Sequence, residues 1–114
     1  MIASMNRTIL KPLLLSLLLL PNTMAAAPLS DERQQEIAHL VQQDCGSCHG
    51  LTLKGGLGPD LNPERLKLFP DHFLSTTILH GRPGTPMPPW GALLNEQEID
   101  YIATQLRAGV WYVP

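Results

Sequence analysis

One short run constrains this chain more than any other feature: Cys45-Gly46-Ser47-Cys48-His49, in a sequence of 114 residues with no other cysteine. A Cys-x-x-Cys-His run is the attachment signature of c-type haem, in which each thiol adds across a vinyl group of the porphyrin. The two intervening residues let both sulfurs reach one porphyrin edge, and the histidine that follows lies under the iron. We therefore predict one covalent haem held by Cys45 and Cys48, with His49 as the proximal iron ligand.

Other chemistries of paired cysteines fit this sequence less well. A thioredoxin-like disulfide needs a strand–helix–strand context, and no strand pattern surrounds the motif. A structural zinc site needs four ligands, and the sequence offers no second pair of cysteines. A chance match is the third alternative for so short a motif.

The first part of the chain has the order of a secretory signal peptide. Arg7 and Lys11 precede seven leucines in the eight positions 13–20, and Pro21 ends that apolar run. A basic start, a short apolar core and small residues at a cleavage site make up such a signal. An uncleaved membrane anchor is the alternative, but the run is far shorter than the ~20 apolar residues that a span needs.

Small residues around Ala25 supply the cleavage site. We expect cleavage after Ala25 or Ala26, because Pro28 disfavours a cut next to it. Residues 1–25 are therefore predicted to leave as the signal, with the boundary placed to within one or two positions. Residues 26–114 are predicted to form a single domain.

Composition limits what the mature domain can be. Without Arg7 and Lys11 it carries six basic and ten acidic residues, a formal net charge of −4, which excludes a basic nucleic-acid binder. Its length excludes a large or multidomain enzyme. A domain of this size buries a modest core, and only six of its residues are aromatic. A cofactor is therefore a natural source of the missing core.

An amphipathic helix is predicted before the cysteine motif. Ser30 can cap it, and its apolar positions include Ile37 and Val41. Cys45 continues that face four residues after Val41. A helix of about 13 residues therefore delivers the chain to the haem.

A second helix is predicted near the end of the chain. Asn95 can cap it, Glu98 is its capping-box partner, and Gly109 follows its last turn. Tyr101 and Trp111 are expected to pack as ordinary core beside it. Its apolar face carries Ile99, Ile102, Ala103 and Leu106.

Between these two helices the sequence indicates loops with short helices. Asn62-Pro63 opens one short turn of helix, since proline fits the first helical position. Residues 70–80 form another helix, which ends before Gly81 and turns Phe73, Leu74, Thr77 and Ile78 inward. No alternating segment argues for a strand. The predicted fold class is therefore all-α, with long Pro-rich connections that suit a chain wrapped around a haem.

The distal iron ligand is predicted to be Met87. Pro86 fixes the backbone before it, and Pro88 biases Met87 itself to an extended conformation, so the loop loses little entropy in holding a thioether at the iron. Methionine with histidine is the ligand pair that raises the reduction potential of cytochromes c. Packing of Met87 as a gap-filling side chain is the alternative.

The sequence gives less support for a role of the other histidines and of Arg82 in binding the haem. His39 and His72 are expected to be solvated, whereas His80 could approach the iron if Met87 did not bind it. Arg82 can reach a haem propionate, because a guanidinium matches a carboxylate with two hydrogen bonds. An exposed and unpaired Arg82 is the alternative.

Four pieces of the mature chain occur together in one known family: Cys45-Gly46-Ser47-Cys48-His49-Gly50, Gly58-Pro59-Asp60-Leu61, Gly84-Thr85-Pro86-Met87-Pro88, and a last helix bearing Tyr101. With them the chain resembles the class I cytochromes c. The resemblance implies that family's fold around one haem. It also implies that the carbonyl of Pro59 accepts a hydrogen bond from His49, which makes the ring a better ligand. Ile37 and Val41 depart from the glycine and aromatic residue that many members pair in the first helix.

Two longer strings narrow the resemblance: DCGSCHGLTLKGGLGPDL at 44–61 and GRPGTPMPPW at 81–90. They resemble the cytochromes c55X, small periplasmic proteins that accompany the cytochrome cd-type nitrite reductase of denitrifying bacteria. This resemblance implies a periplasmic electron carrier, not an enzyme, with an upstream donor and nitrite reductase as acceptor. It also implies an alternative: an accessory protein in maturation or specialised-haem loading of nitrite reductase.

Two axial ligands from the chain leave no iron position for a substrate, which argues against a small peroxidase or a gas sensor. The surface expected to meet redox partners is the apolar rim of Leu51, Leu57 and the Met87 loop. We expect no nucleic-acid partner, no stable membrane insertion after cleavage, and a monomer or weak dimer.

Overall fold

The computed structural model describes residues 21–114, and the basic and leucine-rich parts of the predicted signal lie outside the described residues. The regular structure is helical, with no strand in residues 21–114, which confirms the predicted all-α class. The elements are α1 (Asp31–Leu40), a π-turn (Val41–Cys45), α2 (Gly46–His49), α3 (Pro63–Leu66), α4 (Asp71–His80), a 3₁₀ turn (Trp90–Ala92) and α5 (Glu96–Ala108).

The first helix begins where its cap predicts and runs further than expected. The side chain of Ser30 accepts a hydrogen bond from the backbone N–H of Arg33 at 3.2 Å. The π-turn joins α1 directly to α2, so the chain stays helical to His49. Cys45 is half-buried and packs against the core that contains Val41, as predicted. The fully buried residue after the turn is Gly46, whose N–H donates to the carbonyl of Val41, five residues earlier.

The last helix matches its sequence signals. Asn95 and Glu98 form the predicted capping box, with each side chain accepting from the other residue's backbone N–H at 2.9 Å. Gly109 ends the helix in the left-handed conformation at a φ of 74°. The predicted apolar face is buried: Ile99, Ile102, Ala103 and Leu106.

The short helices of the middle segment are also where the sequence predicts them. The side chain of Asn62 caps α3 by accepting from the N–H of Glu64 at 2.9 Å. The longer helix, α4, ends at His80, before Gly81. Leu74 and Ile78 are buried on its inner side.

Helices α1 and α5 contribute side chains to one core. Ile37 of α1, Val41 of the π-turn, and Ile99 and Ile102 of α5 are each at most 2% exposed. Beside them the Tyr101 and Trp111 rings meet edge to face, with centroids 6.2 Å apart. Within residues 21–114, no helix has the length and hydropathy that a membrane span requires.

Candidate haem-binding cavity

A cavity of about 520 Å³ lies between the motif helix, α4 and the loop before the 3₁₀ turn. This size falls within the range of small-molecule and cofactor sites. Its wall includes every site residue that the sequence predicts: Cys45, Cys48, His49, Pro59 and Met87. A second cleft, of about 400 Å³, is lined by Asp71, Ser75, Asp100, Ala103, Thr104 and Arg107 and contains none of them.

The two cysteines reach the cavity from the end of the motif helix. Both are half-buried and neither forms a disulfide. Burial, aided by the neighbouring carboxylate of Asp44, raises the pKa of the Cys45 thiol to about 11. Cys45, which lines the cavity, is therefore a neutral thiol at neutral pH.

His49 is held by a loop that folds back over the motif. Its Nδ1 lies 2.8 Å from the carbonyl oxygen of Pro59, the partner that the resemblance implied. Because a carbonyl can only accept, Nδ1 must carry the proton, which leaves Nε2 as the free lone pair. The ring is thus fixed in the tautomer that binds a metal through Nε2.

The loop reaches His49 by satisfying the last carbonyls of the motif helix. The N–H of Gly58 donates to the carbonyl of Cys48, and the N–H of Gly55 donates to that of His49, both at 2.7 Å. Gly58 then lies flat against the imidazole: a Cβ on it would come within 2.8 Å of the ring. A side chain at position 58 would therefore displace the ring and strain its hydrogen bond to Pro59.

A buried leucine anchors the same loop, and sequence reasoning did not identify it. Leu53 is 2% exposed and has a φ of 62°. The left-handed conformation costs a leucine about 1–2 kcal/mol, which burial of the side chain, worth about 1.5–3 kcal/mol, offsets. No local signal predicts this, because leucine disfavours a positive φ and only the tertiary core stabilises it.

The loop that carries Met87 is closed by its own hydrogen bonds. The N–H of Arg82 donates to the carbonyl of Met87 at 3.2 Å, and the hydroxyl of Thr85 donates to the carbonyl of Arg82 at 2.6 Å. Gly81 packs at its base with a φ of 66°, where a Cβ would meet Pro88 at 2.6 Å. Met87 is half-buried, and both it and His49 line the cavity.

Two arginines on the cavity wall distinguish it from the rest of the surface. Arg65 of α3 and Arg82 both line the cavity, and neither has a carboxylate partner within the described residues. Arg33 and Arg107 are both ion-paired. The sequence did not point to Arg65, since a helix of four residues is too short for periodicity to indicate its direction.

Apolar and aromatic side chains form much of the remaining wall. Phe69 and Phe73 stack with ring centroids 4.5 Å apart, and Trp90 lies on the wall as well. Two thiols, an imidazole, a thioether, apolar walls and two guanidinium groups fit a haem, which is a flat apolar macrocycle with a central metal and two carboxylates. The residues present therefore fit the predicted group.

The other histidines lie away from this cavity. His39, His72 and His80 are exposed, and none of them is on its wall. His80, the alternative iron ligand, thus points elsewhere in this structure. Of the candidate iron ligands, only His49 and Met87 line the cavity, and these are the two that the sequence favoured.

Comparison with known proteins gives a consistent set of similarities. Residues 32–104 match the family model described as cytochrome c oxidase, cbb3-type, subunit III. The chain is 54% identical to a cytochrome c55X of Stutzerimonas stutzeri over 96 residues, which span 84% of each protein. It superposes on a solved c-type cytochrome NirC with a TM-score of 0.71 and 47% identity, over 75% of this chain and all of that one.

A third similarity is to part of a larger protein. The solved dihydro-heme d1 dehydrogenase NirN, in complex with DHE, matches 60% of this chain at 36% identity and a TM-score of 0.56. The match covers 15% of that protein.

Proposed function

The chain belongs to the cytochrome c55X family of c-type cytochromes, and we propose that it is a periplasmic one-electron carrier with one covalent haem per chain. We propose that it takes electrons from an upstream donor and passes them to a cytochrome cd-type nitrite reductase. Residues 1–25 are proposed to direct export and then to be cleaved off, leaving residues 26–114 as the working domain.

One observation carries this proposal: the side chains of Cys45, Cys48, His49 and Met87 line the same cavity. We assign the two cysteines to thioether bonds, His49 Nε2 to the proximal iron position and the Met87 sulfur to the distal one. When bound, the haem supplies an iron that alternates between the ferric and ferrous states. One motif in the sequence gives one haem per chain.

The chain's residues account for a carrier better than for an enzyme. His49 and Met87 would both hold the iron, which would leave no iron position for a substrate. Methionine opposite histidine favours the ferrous state and so raises the reduction potential. The hydrogen bond from Nδ1 to Pro59 at 2.8 Å holds the imidazole in one orientation, which limits rearrangement on electron transfer.

The proposal is tested on the purified periplasmic protein by a visible spectrum and a redox titration. We expect a haem that stays with the polypeptide on a denaturing gel, with a sulfur-to-iron band near the red end of the ferric spectrum. The variant with Cys45→Ala and Cys48→Ala should lose the covalent haem and most of its folded structure. Haem staining retained in that double variant would contradict the attachment.

Stopped-flow mixing of the reduced protein with nitrite reductase tests the acceptor. Rapid oxidation of this haem together with reduction of the enzyme supports the proposal. A well-formed, Met-ligated haem that transfers no electrons to nitrite reductase would contradict the acceptor and leave the haem site intact.

The similarity to part of a dihydro-heme d1 dehydrogenase favours a second role, in maturation of the specialised haem of nitrite reductase. A dehydrogenase removes two electrons and two protons from its substrate, and a one-electron carrier can accept those electrons in two steps. Nitrite reductase from a deletion strain distinguishes the two roles. Enzyme that lacks its specialised haem indicates maturation, whereas fully loaded enzyme that receives electrons slowly indicates electron delivery.

A further inference from the structure

We propose that the π-turn Val41–Cys45 is a one-residue insertion that keeps the haem-attachment motif in register with the core. The turn takes up one residue more than an α-helix would hold between Val41 and Gly46, so the motif still points into the cavity. This inference rests on the proposed haem attachment at Cys45 and Cys48.

The hydrogen bonding of the turn shows where the extra residue lies. In an α-helix the N–H of Gly46 would donate to the carbonyl of Gln42, four residues earlier. Here it donates to the carbonyl of Val41, five residues earlier. One turn of the helix therefore holds one residue more than an α-helical turn.

The wider turn keeps two faces of the helix aligned despite the extra residue. The buried face consists of Ile37, Val41 and Gly46, and the step widens from four residues to five across the turn. The cavity face consists of Leu40, Asp44, Cys45, Cys48 and His49. If the turn held one residue fewer, the members of each face would be spaced as in an uninterrupted α-helix. In such a helix, residues that are four, seven and eight positions apart lie on the same side.

An uninterrupted α-helix with the present sequence would misdirect the motif. Each residue turns an α-helix by about 100°, so Cys45 would lie within about 40° of Val41, at the fully buried position that Gly46 holds in the structure. Gly46 would then leave the buried face.

The side chains inside the turn do not explain it. Gln42, Gln43 and Asp44 are all exposed, and neither glutamine makes a side-chain hydrogen bond within the described residues. A π-turn is less favourable than the α-helical turn that it replaces and is often found at functional sites. What the π-turn provides in this structure is the alignment of the haem-attachment motif with the cavity.

The experiment compares one deletion with one insertion in the full chain. Deletion of Gln43 should convert the turn to an α-helix and keep both faces aligned. We expect covalent haem, the sulfur-to-iron band and the reduction potential as in the wild type, with a raised denaturant midpoint. Insertion of one alanine after Gln43 should turn the motif by about 100° and abolish the sulfur-to-iron band.

Two controls separate residue number from side chain. Gln43→Ala should match the wild type. Deletion of Gln43 combined with one alanine inserted after Asp44 restores the number of residues and should also match it.

The deletion is the decisive variant, because the expected result is a folded and loaded protein. Loss of the sulfur-to-iron band in the deletion variant, with Gln43→Ala normal, would overturn the inference. In the wild type, NMR coupling across the hydrogen bond should link the N–H of Gly46 to the carbonyl of Val41, and a link to Gln42 would also overturn it. A wild-type protein without covalent haem would instead contradict the proposed function.

Discussion

Arg33 of α1 and Glu98 of α5 form an ion pair, with Nε 2.6 Å from Oε1 and Glu98 only 7% exposed. The second carboxylate oxygen of Glu98 accepts from the backbone N–H of Asn95 at 2.9 Å. One carboxylate therefore caps α5 and ties it to α1. The contact between the two helices combines a buried aliphatic core with this ion pair at its edge.

Glu98→Gln should remove a pH-dependent part of the stability. The hydrogen bond from Arg33, followed by that from the Asn95 backbone, lowers the pKa of Glu98 below its ordinary value of 4.5. A lowered pKa in the folded state stabilises the protein fully above the unfolded pKa, and this stabilisation is lost as pH falls through the folded one. Denaturant unfolding from pH 7 to pH 3 should therefore show a smaller loss of stability with acid in the variant than in the wild type.

Glu36→Gln is the matched control, because Glu36 pairs with the same arginine at 2.6 Å but is largely exposed. Surface ion pairs contribute little, so this variant should follow the wild-type pH dependence closely. Equal acid sensitivity of all three proteins would contradict the role given to Glu98.

Local signals in the sequence were enough to predict where three of the helices begin. Ser30, Asn62 and Asn95 cap the helices that follow them, because a capping side chain bonds a backbone N–H two or three residues away. The cysteine motif and the Met87 loop also carry their chemistry within a few residues. Such features depend little on the rest of the fold.

Long-range features lay beyond that reasoning. The ion pair between Arg33 and Glu98 joins residues 65 positions apart, and the positive φ of Leu53 opposes its local preference. The π-turn was missed because α-helical spacing alone made Cys45 a continuation of the Val41 face. In each case the tertiary core or the cavity, rather than the neighbouring sequence, determines the local geometry.

Gly58→Ala should disturb the proximal histidine. A Cβ at position 58 would lie 2.8 Å from Cε1 and 2.9 Å from Nδ1 of His49, so the ring must shift and its hydrogen bond to Pro59 must weaken. A weaker hydrogen bond makes the imidazole a poorer donor, which stabilises ferric iron less. We expect a higher reduction potential in a redox titration of the loaded protein.

Gly46→Ala provides the comparison, because a Cβ there meets its neighbours at ordinary distances of 3.5 Å or more. Its reduction potential should stay at the wild-type value. If both glycine variants shift the potential equally, close packing against His49 is not the cause.

Met87→Ala should open the distal iron position. We expect loss of the sulfur-to-iron band, a lower reduction potential, and fast binding of added imidazole or cyanide, because the thioether that raises the potential is gone. His80→Ala should leave all three properties unchanged, since His80 is exposed and lies off the cavity wall. A wild-type protein without the band, in which only His80→Ala allows fast binding of added imidazole or cyanide, would assign the distal position to His80.

Leu57→Glu should slow electron delivery without changing the spectrum. Leu57 is 77% exposed although it lies on the cavity wall, and the exposed Pro88 lies on that wall too. Electron-transfer encounters are small and transient, and an apolar contact around the haem edge allows fast release. A carboxylate placed there must lose water on docking, so the rate of nitrite reductase reduction in stopped-flow mixing should fall for Leu57→Glu and for Pro88→Glu.

Leu93→Glu adds the same charge at a residue that is 72% exposed but off the cavity wall, and it should leave the rate near the wild-type value. Residues 26–114 carry a formal net charge of −4, so charges away from the rim steer the approach and make the rate modestly dependent on ionic strength. The opposite pattern has a clear signature. If the rim variants keep the wild-type rate while neutralisation of exposed carboxylates such as Glu96 and Asp100 abolishes transfer, docking is electrostatic and the apolar rim is not the contact surface.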